Sequence, residues 1–158
     1  MFFLLGKTYD KLQTFVPIQD YQIDHYKNRF LKYINPGFIK CVTDENDELV
    51  AFAITMPSFS NALKKINGKV NFIGKLRLLH AKNFNHKGSL YLIGVRPDFQ
   101  NKGVIAILFN ELQKFYNKFG ITEVETNPEL IENAAIQQLW KNYENNQHKN
   151  RATFTKVI

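Results

Sequence analysis

The segment LYLIGVRPDFQNKGVIAILFNEL, residues 90–112, constrains the fold more than any other. Its first six residues form a near-continuous apolar run, the pattern of a β-strand covered on both faces. Polar residues and a glycine follow, and then Ile105, Leu108, Leu112, Phe115 and Phe119 recur at helical spacing up to Gly120, which stands where a helix C-terminal cap belongs. A buried strand, a tight polar turn and a long amphipathic helix require a layered α/β arrangement. A strand at residues 121–126, ITEVET, follows the helix, so these two strands should be parallel neighbours joined by a crossover.

The remaining chain extends this frame. Ile23, Tyr26, Phe30 and Ile34 mark an amphipathic helix ended by Pro36 and Gly37. Two β-rich runs, residues 38–42 and 49–56, flank the polar TDENDE and predict an antiparallel hairpin. Residues 58–89 are hard to read, with a short basic amphipathic helix expected over 70–82 and a loop over 83–88. A further helix is expected near residues 131–143, with Ile136, Leu139, Trp140 and Tyr143 on one face, and RATFTKVI at the end alternates as a closing strand does. The expected fold is α/β: a mixed, mostly antiparallel sheet with a parallel crossover at the two central strands, flanked by helices.

At 158 residues and 44% hydrophobic, the chain suits one globular domain. No apolar run reaches the roughly 18 residues of a membrane span, and MFFLLGK is too short for a secretory signal, so a cytoplasmic protein is expected. Cys41, the single cysteine, excludes an internal disulfide and reads as a small core residue of a strand. His25, His80, His86 and His148 are dispersed, and no metal site is expected. The net charge of +7 favours anionic partners, but the basic residues are scattered and no block of like charge occurs. A nucleic-acid-binding domain is therefore a weaker reading, and its signature would be salt-dependent retention on DNA or RNA.

The turn Gln100, Asn101, Lys102, Gly103 carries the functional question. A helix start offers unpaired N–H groups and a positive dipole end, and a glycine there lets a phosphate approach the backbone. The same residues also make an ordinary helix-entry turn, and both readings stand on physical grounds alone.

VRPDFQNKGVIAILFNEL resembles motif A of the GNAT superfamily of N-acetyltransferases, in which a strand ending in Val-x-Pro leads through Gln/Arg-x-x-Gly-x-Gly/Ala into a long helix. The order of the later segments agrees, with Asn133 opening the last helix. The resemblance implies an acyl-CoA-dependent N-acyltransferase that uses acetyl-CoA or another acyl-CoA and a small-molecule or peptide amine; a catalytically degenerate CoA-binding or interaction module of the same fold is the alternative. An oligomer is compatible with either. It implies that Gln100, Asn101, Lys102, Gly103, Val104 and Ile105 surround the cofactor pyrophosphate, that Ile93 and Val95 offer backbone groups to the pantetheine arm, with the Val95 N–H as oxyanion donor, and that Asn133 touches the cofactor.

Three departures from the family pattern follow. Ile105 occupies a position that is Gly or Ala in the motif, where its side chain either crowds the loop or turns to the sheet. Seven residues after Asn133, where the family places a tyrosine that protonates the leaving thiolate, stands Trp140; Tyr143, one turn on, reads either as its substitute or as a core or rim aromatic at helical spacing. The N-terminal stretch leaves room for little more than part of the first helix, so a single domain lacking the first strand and part of that helix is expected. Glu125, with Glu123 on the same strand face, is the candidate base, against the bland reading of two surface carboxylates. Acceptor specificity is expected to reside in residues 58–89.

Overall fold

The computed structural model of the chain describes residues 2–9, 16–29, 34–131, 133–152, 154 and 156. They fall into two compact units, Met1–Glu125 and Thr126–Ile158. The first contains helices α1 (Phe2–Tyr9), α2 (Asp20–Arg29), α3 (Ser60–Ile66), α4 (Phe72–Asn83) and α5 (Val104–Phe119), with strands β1 (Ile39–Thr43), β2 (Leu49–Pro57), β3 (Lys87–Val95) and β4 (Glu123–Thr126), whose last residue reaches the second unit. The second holds α6 (Ala134–Trp140).

The strands form one sheet in the order β1-β2-β3-β4. The first three are antiparallel, and β4 runs parallel to β3 after the α5 crossover, as expected. The hairpin between β1 and β2 closes because Asp44 Oδ1 accepts the N–H groups of Asn46 and Glu48, both at 3.0 Å, while Asp47 takes the left-handed φ of 59°. A short side chain that bonds its own backbone makes this turn accessible to a non-glycine residue. At the other edge the N–H groups of Thr122 and Glu123 share the His86 carbonyl at 2.8 and 3.2 Å, which sets β4 level with the start of β3.

The core forms on both faces of β2, whose residues Val50, Ala51, Phe52, Ala53, Ile54 and Thr55 are all buried. Phe52 and Ile54, two apart and therefore on one face, pack with Leu4 and Leu5 of α1. On the opposite face α5 presents Val104, Leu108, Leu112 and Tyr116, a row at intervals of four. This buried row is offset from the expected one. Ile105 and Phe115 are only half-buried and Phe119 is exposed, because the helix presses its 104-108-112-116 stripe on the sheet and leaves Phe115 and Phe119 to pack around Phe38.

Other expectations shift at their ends. β3 begins at Lys87 rather than Leu90, since Gly88 pairs with Pro57 and Ser89 with Met56, and ladder pairing extends the strand beyond its apolar part. Helix α3 was not anticipated, because only Ala62 and Ile66 of its seven residues are buried and no long periodic row announces it. Helix α4 matches the expected helix over 70–82, with Asn71 Oδ1 accepting the Gly74 N–H at 2.8 Å as its cap. Cys41 is not a core residue: it lies exposed on edge strand β1. Helix α2 ends at Arg29; Ile34 lies beyond it, and Phe30 is outside the described residues. Of the expected closing strand, residues 151, 152, 154 and 156 are described and lie in no strand, and the rest falls outside the described residues.

Tyr116 carries the one exception to polar satisfaction found among the described buried side chains. Its hydroxyl has no hydrogen-bond partner; burial raises its pKa, and the adjacent Thr55 hydroxyl, which donates to the Phe38 carbonyl at 2.9 Å, offsets this only in part. An unsatisfied buried hydroxyl costs about 1–3 kcal/mol. Tyr116→Phe is therefore expected to hold or raise the unfolding free energy in a urea titration, by up to about 1 kcal/mol. A clear loss of stability would mean that the hydroxyl is bonded in the folded protein.

Candidate functional site

The end of β3 is shaped by its register with β2. Ala51 pairs with Val95, and the Arg96 N–H donates to the Val50 carbonyl at 2.8 Å. In an antiparallel ladder that bond makes Ala51 and Val95 a non-hydrogen-bonded pair, so both backbone polar groups of Val95 point away from β2. Ile93, two residues earlier and paired with Ala53, has the same orientation. The Val95 carbonyl accepts the Gln100 side-chain amide at 3.3 Å, and the Thr8 hydroxyl, which donates chiefly to Leu4, lies 3.4 Å from it. Among the described residues the Val95 N–H has no acceptor.

A turn of 3-10 helix over Pro97–Phe99 then leads into the loop. Asn101 has φ 59° and Gly103 φ 77°, so two left-handed residues flank Lys102 just before the helix, the kind of backbone from which anion-binding nests are built. The N–H groups of Ala106 and Ile107 both donate to the Gly103 carbonyl. Those of Asn101, Lys102, Gly103, Val104 and Ile105 donate to nothing among the described residues. Five consecutive donors thus sit at the positive end of a 16-residue helix. A Cβ built on Gly103 meets no atom within 4 Å, so the space before the loop is open. This arrangement fits a pyrophosphate.

Ile105 does not obstruct the loop. Its side chain packs against the cluster of Val50, Ala51, Val95 and Val104, so the branched residue at the motif's small position faces the sheet. Of the nearby cations, Arg96 is committed: Nε meets Asp98 at 2.9 Å, one terminal nitrogen Glu48 at 3.0 Å and the other Asp44 at 3.3 Å. Lys102 forms no ion pair among the described residues and lies 5.4 Å from the Phe99 ring centre. Beside Arg96, a cleft of about 290 Å³ is lined by Phe3, Leu4, Lys7, Glu48 and Leu49. Nothing in the sequence pattern marks Thr8 or Glu48 as neighbours of the site, since the hairpin turn and α1 reach it only through the folded sheet.

The expected acid–base residues differ in environment. Glu123 is exposed and ion-paired with Lys87, which holds its carboxyl below the ordinary range and makes it a poor base at neutral pH. Glu125 is half-buried on the same strand. In the second unit, Asn133 caps α6, its Oδ1 taking the Ile136 N–H at 3.5 Å. The Trp140 indole N–H donates to both oxygens of Glu129, at 2.9 and 3.0 Å, and Tyr143 stands edge-on to that indole at 6.3 Å with 41% of its surface exposed. No group of three or more potential metal ligands occurs among the described residues. The connection over residues 58–86 leaves from Pro57 and returns at Lys87, at the end of the β2–β3 ladder opposite Val95.

The model of the acetyltransferase (GNAT) family matches residues 7–142. The chain belongs to the GNAT family. Family membership assigns acyl-CoA-dependent N-acyl transfer. No curated protein matches the sequence. Among solved structures, this GNAT chain is similar in fold to AAC(6')-Iy in complex with the bisubstrate analogue CoA-S-monomethyl-acetylneamine, at 14% identity and a TM-score of 0.57, over 99% of this chain and 89% of that one. It is similar also to the aminoglycoside 6'-N-acetyltransferase AAC(6')-IG of Acinetobacter haemolyticus, at 13% identity and a TM-score of 0.56, over 98% and 92%. A third is the aminoglycoside acetyltransferase meta-AAC0020 from an uncultured soil metagenomic sample, at 11% identity and a TM-score of 0.52, over 98% and 84%.

Proposed function

We propose that this GNAT chain moves an acetyl or longer acyl group from acyl-CoA to the amine of a small molecule or peptide. The observation that carries this reading is the run of five undonated amides from Asn101 to Ile105, with Ile105 turned into the core. In this reading Gln100 through Ile105 hold the pyrophosphate, Ile93 and Val95 contribute backbone groups to the pantetheine arm, and Asn133 contacts the cofactor. Bound acyl-CoA supplies an activated thioester. The Val95 N–H is the donor for an oxygen that gains negative charge, Glu125 the base that takes the amine proton, and Tyr143 the acid for the departing sulfur. The cleft lined by Phe3, Lys7 and Glu48 is where the acceptor enters, and Glu48 offers a carboxylate oxygen to a cationic amine. A cytoplasmic setting belongs to the same reading; the supporting facts are the single cysteine and the absence, among the described residues, of a helix long and apolar enough to cross a membrane.

Calorimetric titration with CoA and acetyl-CoA, joined to thiol release against a panel of amines, tests this. Binding is expected with both. Glu125→Gln is expected to lower kcat by about 100-fold, the scale of lost general-base catalysis, with CoA affinity unchanged. Binding without thiol release for any amine would favour the degenerate module, and the absence of any binding heat or thermal shift would remove the proposal altogether.

A further inference from the structure

We propose that helix α4 and its connection to α3 form a peripheral docking surface for an anionic lipid membrane, a property separate from acyl transfer. Between Glu48 and Asp98 the sequence has no acidic residue, while Lys64, Lys65, Lys69, Lys75, Arg77 and Lys82 fall between residues 60 and 84. These six cations lie on one helical excursion of the fold, which carries +6 of the net +7. None of these five lysines forms an ion pair among the described residues.

The same excursion exposes its apolar side chains. Phe72, Ile73, Leu76, Leu79 and Phe84 are between 51% and 76% exposed. At 100° per residue, Phe72, Leu76 and Leu79 form one ridge along the outer face of α4, and Gly74, Leu78 and Ala81 form the inner face. Gly74 is buried and Leu78 and Ala81 are half-buried, so the helix packs on the protein through its smaller side and presents its larger residues outward. Lys75 and Lys82 lie on one flank of the ridge and Arg77 on the other, where its guanidinium donates to the Lys65 carbonyl at 3.0 Å and ties α4 to α3.

An apolar ridge with basic flanks suits an interface in which acyl chains receive the ridge and anionic headgroups meet the lysines. The ridge is convex, so it needs no matching groove, as a protein partner would have to provide. A second copy would bring the lysines of both chains together, and a nucleic acid would leave Phe72, Leu76 and Leu79 in water. The segment that carries this surface leaves and rejoins the sheet at the end opposite Val95.

Flotation of the full chain with vesicles tests this, using phosphatidylcholine alone and phosphatidylcholine with about one third phosphatidylglycerol. The chain is expected to float with the anionic vesicles at about 0.1 M salt, to be released at about 1 M, and to ignore the neutral ones. Lys75→Ala with Lys82→Ala should weaken binding on the order of twentyfold, and Leu76→Asn with Leu79→Asn should abolish it. Both pairs are exposed, and unchanged circular dichroism and thermal midpoint would show that the fold is retained. The proposal is overturned if anionic vesicles do not carry the chain at low salt, or if the folded variants float as the parent does. It is equally overturned if the apolar pair instead abolishes a concentration-dependent dimer, or binding to a soluble acidic amphipathic peptide, with vesicle binding unaffected.

Discussion

Gly103→Val is expected to weaken CoA binding by at least about 100-fold while costing only about 1–2 kcal/mol of stability. Gly103 holds φ at 77°, and a β-branched residue is a genuine outlier there. The cost in stability stays small because the added side chain meets no protein atom within 4 Å. The cost in binding is larger, since relaxing φ turns the neighbouring amides out of their shared concavity. Each lost charge-assisted hydrogen bond is worth about 1.5–3 kcal/mol, so losing two accounts for the fall. Lys102→Ala is the contrast: it removes an unpaired cation but leaves the nest, and should cost roughly tenfold or less, shrinking as salt is added. Calorimetry on both variants separates the two contributions. A Gly103→Val protein that binds CoA within about threefold of the parent would show that the amides are not the phosphate site.

Gly94→Val should lower the unfolding free energy by about 3 kcal/mol or more, and Gly94→Ala by about 2. A Cβ at Gly94 falls 2.7 Å from Phe52 Cε1, 3.1 Å from Cζ and 3.3 Å from the Thr8 hydroxyl. Phe52 is fully buried and packed against Leu4 and Leu5, so its ring cannot move without displacing α1. For a chain of this size each kcal/mol lowers the thermal midpoint by roughly 2–4 °C, so the valine variant should melt about 6–12 °C below the parent. Shrinking the obstacle should recover part of the loss: Phe52→Leu in the Gly94→Ala background is expected to be less damaging than the two single effects added together. Strict additivity would mean that the ring and the new methyl do not meet.

Much of the site was visible in local pattern. The apolar run before Arg96, the glycine at 103 and the periodic helix after it specify strand, turn and helix, because each depends on side-chain spacing and on the φ that a residue tolerates within a few positions. The same holds for the Asp44 turn and the Asn133 cap, where a short polar side chain bonds backbone two to four residues away. Helix α3 was missed for the complementary reason, since two buried residues make too weak a row to read.

What the sequence by itself determined, then, was the local grammar of the chain: a covered strand, a nest-forming turn and a crossover helix, together with the family to which they point. Tertiary structure alone decided how those parts work. Whether Ile105 blocks the loop or seals the core depends on which wall α5 packs against, and the 104-108-112-116 stripe sets that. Whether Val95 offers its N–H outward depends on one step of register between β2 and β3. Arg96 is removed from the pool of phosphate-binding cations by Asp44 and Glu48, roughly fifty positions earlier. Each is a relation between distant segments, which one-dimensional spacing does not encode.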